Sequence, residues 1–451
     1  GQNHSGYEVG GADRKRRSTR GSDAEDPIFV AGLVGVGALK SLSCRAGDAA
    51  SASGVDERYP MKTDQPITTD RTESVPAVAH DASSVPSDLS KGPQVAPLHI
   101  GSLSLATPIL QAPIAGFTDL VFRRIVRELG GCGLMYTEMV SAGGWVRGNI
   151  PPERLVGVAD EPGPLGVQLW DREPQMVEEA ARRLVDFGVS VIDLNFGCPK
   201  KRIMGKQGAG AQLLRDPSTI SRMIEATIRG AGEIPVTAKI RLGPNPDEIT
   251  SLEVAHAAES AGAAALTVHG RTAKDGYGIP VNHLRIAEVV EAVSIPVIAN
   301  GDVVDAASAL EAFENTGAAG VMVARRCLSA PWVFREIAAA LRGDPIPPQP
   351  TLLEQREQLL RHHAQLVEMH GDPFGTILMR KFAARYLTGV RGAKSFRAEV
   401  TIAANAAEFC RIVEQLFPVA EDTERHEQHP QAEDAELTEP ECHSDGAEQS
   451  R

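Results

Sequence analysis

Cysteine is scarce in this chain, with six scattered through 451 residues. That excludes a disulfide scaffold and fits a reducing, cytoplasmic setting, where a specially placed cysteine is a candidate for chemistry. No apolar stretch approaches the roughly 18 residues that a membrane-spanning helix needs, so no membrane partner is expected. An initiator methionine is absent and the first Met is Met61, which leads to the expectation of a processed or over-extended amino terminus. Basic residues are outnumbered: 46 Lys and Arg stand against 59 Asp and Glu, a formal net charge of −13. Taken alone, that argues against a nucleic-acid partner. The excess is local, however. Residues 421–451 hold 11 acids and two bases, leaving only −4 on residues 1–420, so whole-chain charge excludes no partner.

Residues 1–95 are rich in Gly, Ser, Ala, Asp and Arg without periodicity, the composition of a disordered extension. Arg14–Arg17 and Arg20 precede an apolar run, Pro27–Leu39, but Asp23, Glu25 and Asp26 stand between them, and no secretory signal is expected. From Leu98 short β-branched runs alternate with amphipathic stretches. Eight strands are expected, at Pro108–Ala112, Leu134–Thr137, Leu165–Leu169, Val191–Asn195, Val236–Ile240, Ala264–Val268, Val297–Asn300 and Gly320–Ala324. Helical patterns such as Pro174–Phe187, Pro217–Ile228, Pro246–Ala261 and Asp305–Phe313 lie between them. Eight such units over residues 96–345 predict an α/β fold, a (β/α)8 TIM barrel. Beyond Pro345–Pro348, residues 350–418 read as a small helical bundle with helices at Leu352–Met369, Gly375–Leu387 and Ala398–Phe417. Residues 419–451 read as an acidic disordered tail. Its His426, His429, Cys442 and His443 follow no metal-site spacing, and no metal is expected.

Barrel enzymes build their sites at the carboxyl ends of the strands. The first strand runs into Pro113-Ile114-Ala115-Gly116-Phe117, small enough for close approach to a flat ligand; Thr118 or Asp119 could simply cap the next helix. Gln168 is an amide in an apolar run and needs partners. Cys198, between Gly197 and Pro199, is displayed on a loop where a thiol can act as nucleophile or acid, whereas Cys132, Cys327 and Cys410 read as core residues. Lys239 lies within a strand and is costly to bury without a negative partner. His269, Asn300-Gly301-Asp302 and Ala324-Arg325 close the set, the last two groups standing where such barrels hold phosphate. Lysine, histidine, amide and phosphate cradle on one barrel face describe a pocket for flavin mononucleotide, with Lys239 and His269 neutralising its electron-rich edge.

These residues resemble the tRNA-dihydrouridine synthases, most of all the bacterial B-type branch. The likeness rests on Ala112–Phe122, Val167–Gln168, Asp193–Pro199, Gly208–Leu214, Lys239–Gly243, Val268–Thr272, Ala299–Asp302 and Pro331–Phe334. It implies that NADPH reduces FMN, that hydride passes from flavin N5 to C6 of a uracil in tRNA, and that Cys198 protonates C5. FMN contacts by matched position are Pro113, Ile114, Ala115, Gln168, Lys239, His269, Asn300, Gly301, Asp302, Ala324 and Arg325, with Asn195 and Arg271 near the base. Departures from the family pattern are Ile114 for Met, Ala324 for Gly, and Pro280–His283 where an acidic-Trp pair is usual. Residues 376–397 carry Arg380, Lys381, Arg385, Arg391, Lys394 and Arg397 with no acid, a candidate phosphate-contacting face, and Tyr277 or Phe196 is a candidate to stack on a swung-out base. A monomer is expected. Two other readings account for fewer of these residues: a flavin barrel acting on a free pyrimidine-like metabolite, which has no need of the basic helices, and an RNA-binding protein without catalysis, which has no need of Cys198 and Lys239.

Overall fold

Every residue of Val191–Asn195 and of Ala265–His269 is buried, as in strands covered on both faces. The protein, seen in a computed structural model, is described over residues 96–149, 155, 158, 161–206, 208–388, 390 and 392–417. The expected amino-terminal extension and the acidic tail with its histidines lie outside these residues. In chain order the first elements are β1 (Leu98–Ile100), β2 (Leu103–Leu105), β3 (Ile109–Gln111), α1 (Leu120–Leu129), β4 (Met135–Tyr136), β5 (Val140–Ser141) and α2 (Ala142–Val146). There follow β6 (Leu165–Trp170), α3 (Pro174–Val185), β7 (Val191–Asn195), α4 (Pro217–Ala231), β8 (Val236–Arg241), α5 (Ser251–Ser260), β9 (Ala265–His269) and α6 (His283–Ala292). β10 (Val297–Asn300), α7 (Ala306–Thr316), β11 (Gly320–Val323), α8 (Arg326–Ser329) and α9 (Val333–Arg342) complete the alternation.

The sheet runs β3-β11-β10-β9-β8-β7-β6-β4, all parallel, with β5 extending β6. The ends meet where Gln111 N donates to Leu134 O at 2.9 Å and Gly133 N to Ile109 O at 2.8 Å, so the sheet closes into a barrel. The antiparallel β1–β2 hairpin joins the barrel-interior cluster: Leu98, Ile100 and Leu105 pack with Leu110, Ala265, Ile298 and Met322. Its turn, Gly101 at φ +56°, would set a Cβ 3.0 Å from Pro235 at the start of β8, so the hairpin plugs the amino-terminal mouth. Function is left to the other end.

Short polar side chains start several of the helices, as their chemistry dictates. Asp119 accepts Phe122 N at 2.9 Å, and Asp305 and Thr351 form capping boxes with Ser308 and Glu354. The carboxyl-terminal helices are α10 (Leu352–His370), α11 (Phe374–Tyr386), α12 (Ala393–Val400) and α13 (Ala406–Leu416). The single helix expected at Ala398–Phe417 is therefore two. Asn405 accepts Glu408 N at 2.9 Å and caps a new helix after the turn at Thr401. These helices share one hydrophobic core with the barrel, and Phe382 of α11 stacks on Phe122 of α1 at 5.7 Å. Among the described residues no helix is long and apolar enough to cross a membrane.

Candidate active site at the carboxyl mouth of the barrel

Strand register sets the site. Asn195 lies opposite Lys239, Arg241 opposite His269, and His269 opposite Asn300. The side chains at these strand ends are thus neighbours around one barrel mouth. Lys239 is half-buried and donates Nζ to Asn300 Oδ1 at 2.7 Å, and Asn300 is fixed by donating Nδ2 to Met322 O at 2.9 Å. Among the described residues Lys239 makes no ion pair. Burial, with Arg241 adding to it, pulls its ammonium down to about 7. Burial also drives His269 well below its usual value, helped by Lys239, Arg241, Arg271 and Arg325. His269 thus favours the neutral imidazole, able to accept or donate a hydrogen bond at the mouth.

A chain of carboxamides runs beside them. Asp193 Oδ1 accepts Thr237 Oγ1 and Oδ2 accepts Gln168 Nε2, each at 2.7 Å. Gln168 Oε1 accepts Asn195 Nδ2 at 2.7 Å, and Asn195 Oδ1 accepts the backbone N–H of Gly197 at 3.1 Å and Cys198 at 2.9 Å. Gln168 is fully buried, its amide engaged by these two neighbours. Cys198 is half-buried and free of any disulfide. The Gly208–Leu214 segment holds this loop: Ala211 N donates to Cys198 O at 3.1 Å, and Gly210–Arg215 is a 3-10 helix. Arg241 is close enough for its guanidinium and the Cys198 thiol to interact, and its Nη1 is anchored on Thr272 O at 2.6 Å.

Opposite lies the β9–α6 loop. Arg271, expected near a base, is buried and braces this loop: Nε donates to Ile279 O at 2.5 Å, and Nη2 donates to Tyr277 O at 3.1 Å and Asp302 Oδ2 at 2.6 Å. Asp302 sits at φ +50°, does not cap a helix, and also accepts Val281 N at 3.1 Å and Arg325 at 3.4 Å. Tyr277 is 58% exposed with the Arg325 guanidinium 4.2 Å from its ring centre. Gly301, at φ +121°, leaves room where a Cβ would press to 3.1 Å of the His269 ring. Pro113 and Ile114 are half-buried at the mouth and Ala115 is exposed; Thr118 accepts Ile114 N at 3.1 Å rather than capping α1. Ala324 is half-buried beside them. This donor set suits a flat, electron-rich ring with an anionic arm: a half-buried lysine in no direct ion pair, an imidazole, open glycine backbone and an outlying guanidinium.

Within the basic stretch several cations make bonds inside the chain. Lys381 Nζ donates to Gly116 O in the mouth loop, whose N–H donates to Glu138 Oε2 at 2.6 Å. Arg385 lies 4.8 Å over the Phe117 ring, and Arg380 Nε donates to Ala403 O at 2.8 Å. Arg397 is tied to Leu387 O at 2.9 Å, Lys394 is exposed, and Arg391 lies outside the described residues. Asp193, Thr237, Arg241 and Glu138 were not singled out from sequence; a carboxylate inside the all-buried strand at Val191–Asn195 was the available signal. Cys132 and Cys327 are packed thiols, Cys132 pushed up to about 12 by burial. Among the described residues no group of three metal-ligating side chains forms a metal site.

Fold and site together define an α/β-barrel enzyme. Residues 110–421 match the dihydrouridine synthase (Dus) family, and the chain belongs to it. A probable tRNA-dihydrouridine synthase of Rhodobacter capsulatus is 39% identical over 326 residues, 71% of this chain and 98% of its own. The tRNA-dihydrouridine synthase B of Pseudomonas aeruginosa is 39% identical over 323 residues, covering 71% and 96%. Among solved structures, morphinone reductase in complex with tetrahydroNAD overlaps 57% of this chain and 93% of that one, with 15% identity and a TM-score of 0.42.

Proposed function

We propose that this protein reduces a specific uridine of tRNA to 5,6-dihydrouridine, using FMN with NADPH as reductant. The observation that carries the reading is the convergence of Lys239, neutral His269 and the Cys198 loop on one barrel mouth in a member of this family. Lys239, His269, Gln168 and the backbone of Pro113–Ala115 would hold the ring system, and Gly301, Asp302, Ala324 and Arg325 the phosphate. When bound and reduced, FMN supplies hydride to C6 of the uracil.

The chain's own residues complete the addition. Hydride arriving at C6 would leave negative charge on the C5 side, and Cys198 would give its proton there to complete saturation of the 5,6 bond. Arg241 steadies the thiolate this leaves, until solvent returns the proton. Asn195 donates to a uracil carbonyl, and Tyr277 stacks on the base swung out of the RNA. Arg271 acts indirectly by holding the Tyr277 loop. The protein acts as a cytoplasmic monomer on tRNA. In the test, flavin-loaded protein is bleached with NADPH and mixed with unmodified tRNA. Return of the yellow absorbance, with one uridine gaining the mass of two hydrogens, is expected. Reoxidation no faster than in buffer, with tRNA mass unchanged, overturns the reading.

A further inference from the structure

Asp193 sits under the Cys198 loop without touching it. It is 2% exposed, on the third position of an entirely buried strand. An ionised carboxylate only accepts hydrogen bonds, so Gln168, 2.7 Å away, must turn its NH2 toward it. Gln168 then has only Oε1 to show Asn195, which must answer with Nδ2. That leaves Asn195 Oδ1 for the loop, where it meets two obligate donors, the N–H groups of Gly197 and Cys198. The two ends of the chain agree in only one polarity. The second Nδ2 hydrogen, facing Met139 Sδ at 3.7 Å, is what Asn195 offers a bound base. A neutral group at position 193 could also donate, leaving the order to the loop N–H groups alone.

We infer that Asp193 is a positioning residue: its carboxylate sets the donor–acceptor direction of the Gln168–Asn195 pair and through it the placement of the Cys198 loop. The consequence for uridine reduction rests on the function proposed above; the consequence for the thiol does not. The energetics fit. Leaving one buried donor or acceptor unmatched costs the full desolvation of that group, so a reversed amide is strongly disfavoured while the carboxylate is ionised. Burial raises Asp193 to about 6, against Gln168, Thr237 and Lys239, which favour the charged form. The ionisable side chains facing it are Lys239 on β8 and Tyr136 on β4. Protonation turns one oxygen into a donor and removes the constraint, so the ordered state is lost as pH falls through about 6.

The test compares parent, Asp193→Asn and Thr237→Val, each loaded with flavin. Two readouts are taken across the acid range: turnover on unmodified tRNA, and the rate at which iodoacetamide alkylates Cys198. In the parent both should show an inflection near pH 6. Asp193→Asn should keep its flavin content, lose the inflection, and turn over roughly tenfold more slowly at neutral pH with KM for tRNA unchanged. Thr237→Val removes a bond that favours the carboxylate and should move the inflection to higher pH, which a simple packing defect would not do. Equal alkylation profiles in parent and Asp193→Asn overturn the inference, whatever the tRNA result. A changed alkylation profile upholds it even if the parent fails to reduce tRNA, in which case the proposed function falls alone.

Discussion

Lys239 Nζ meets Asn300 Oδ1 at 2.7 Å, and no carboxylate among the described residues joins them in an ion pair. An ammonium held down to about 7 is poised to gain charge when an electron-rich ligand arrives. The sign follows from linkage. Below about 7 the lysine is already protonated; above it, binding must take up a proton, so affinity falls as pH rises, by up to about tenfold per unit. Titrating the flavin-free protein with FMN by fluorescence quenching should show this fall. Lys239→Met should bind more weakly and without the slope. A flat profile in the parent would show that the ligand does not engage Lys239.

Cys198 is held from two sides, by Asn195 Oδ1 at its N–H and by Ala211 N at its carbonyl. Gly210 makes the second hold possible: at φ +59° it packs so closely that a Cβ would lie 2.7 Å from Cys198 O. Cys198→Ala should retain flavin and lose about 10²- to 10⁴-fold in turnover, the usual scale for a general acid. Gly210→Ala leaves the thiol in place but shifts its loop, and should lose about tenfold with flavin content kept. Dihydrouridine formed per enzyme per minute, measured by mass spectrometry, checks both. Parental turnover in Cys198→Ala would end its assignment as proton donor.

The barrel strands were legible because most lie in short apolar runs rich in Val, Ile and Leu, and most expected boundaries fall within a residue or two of β3–β11. The β1–β2 hairpin was not, since three residues per strand carry no periodicity. At the mouth, the strand-end positions of Lys239, His269 and Asn300 follow from the strand pattern alone. What each cation touches does not. Lys381 and Gly116 are 265 residues apart, and nothing local to either predicts the bond. Burial, with Lys239, Arg241, Arg271 and Arg325 adding to it, presses His269 down, a sum over distant segments. Asp193, though part of the matching segment Asp193–Pro199, shows no role of its own in the sequence for the opposite reason: it reads as one letter inside a hydrophobic strand.

Lys381 and Lys394 lie on the same basic stretch but face different surroundings. Lys381 is bound to the barrel loop at Gly116 and lies 5.3 Å from the Phe117 and Phe382 ring centres, whereas Lys394 is exposed. If tRNA phosphates are met by the exposed face, Lys394→Gln should lower the slope of log affinity against log salt by about 0.7–0.9. Lys381→Gln should leave that slope unchanged and cost about 1–3 kcal/mol of stability instead, from loss of a charged hydrogen bond. Filter binding over a salt series and thermal melts separate the two. A slope lowered equally by both substitutions would place Lys381 on phosphate.

His362 and His363 make the helical region sensitive to acid. His362 packs 4.4 Å from the Phe382 ring centre with Nδ1 3.4 Å from Tyr386 Oη, and burial presses it down to about 3. His363 stacks on Phe409 at 4.0 Å, with Nε2 2.9 Å from Thr376 Oγ1, and is pressed down to about 4. In the unfolded chain both titrate near 6.5. Below that value the unfolded state binds protons that the folded state refuses, so stability is complete above about 6.5 and drains away as pH falls toward the folded values. The urea midpoint should therefore drop between about pH 7 and 5. His362→Phe keeps an aromatic ring against Phe382 and removes the ring nitrogen Nε2, which is buried without a partner. It should lessen the acid loss while leaving neutral-pH stability nearly intact. A parent midpoint unchanged over that interval would show that the two rings are protonated in the folded state.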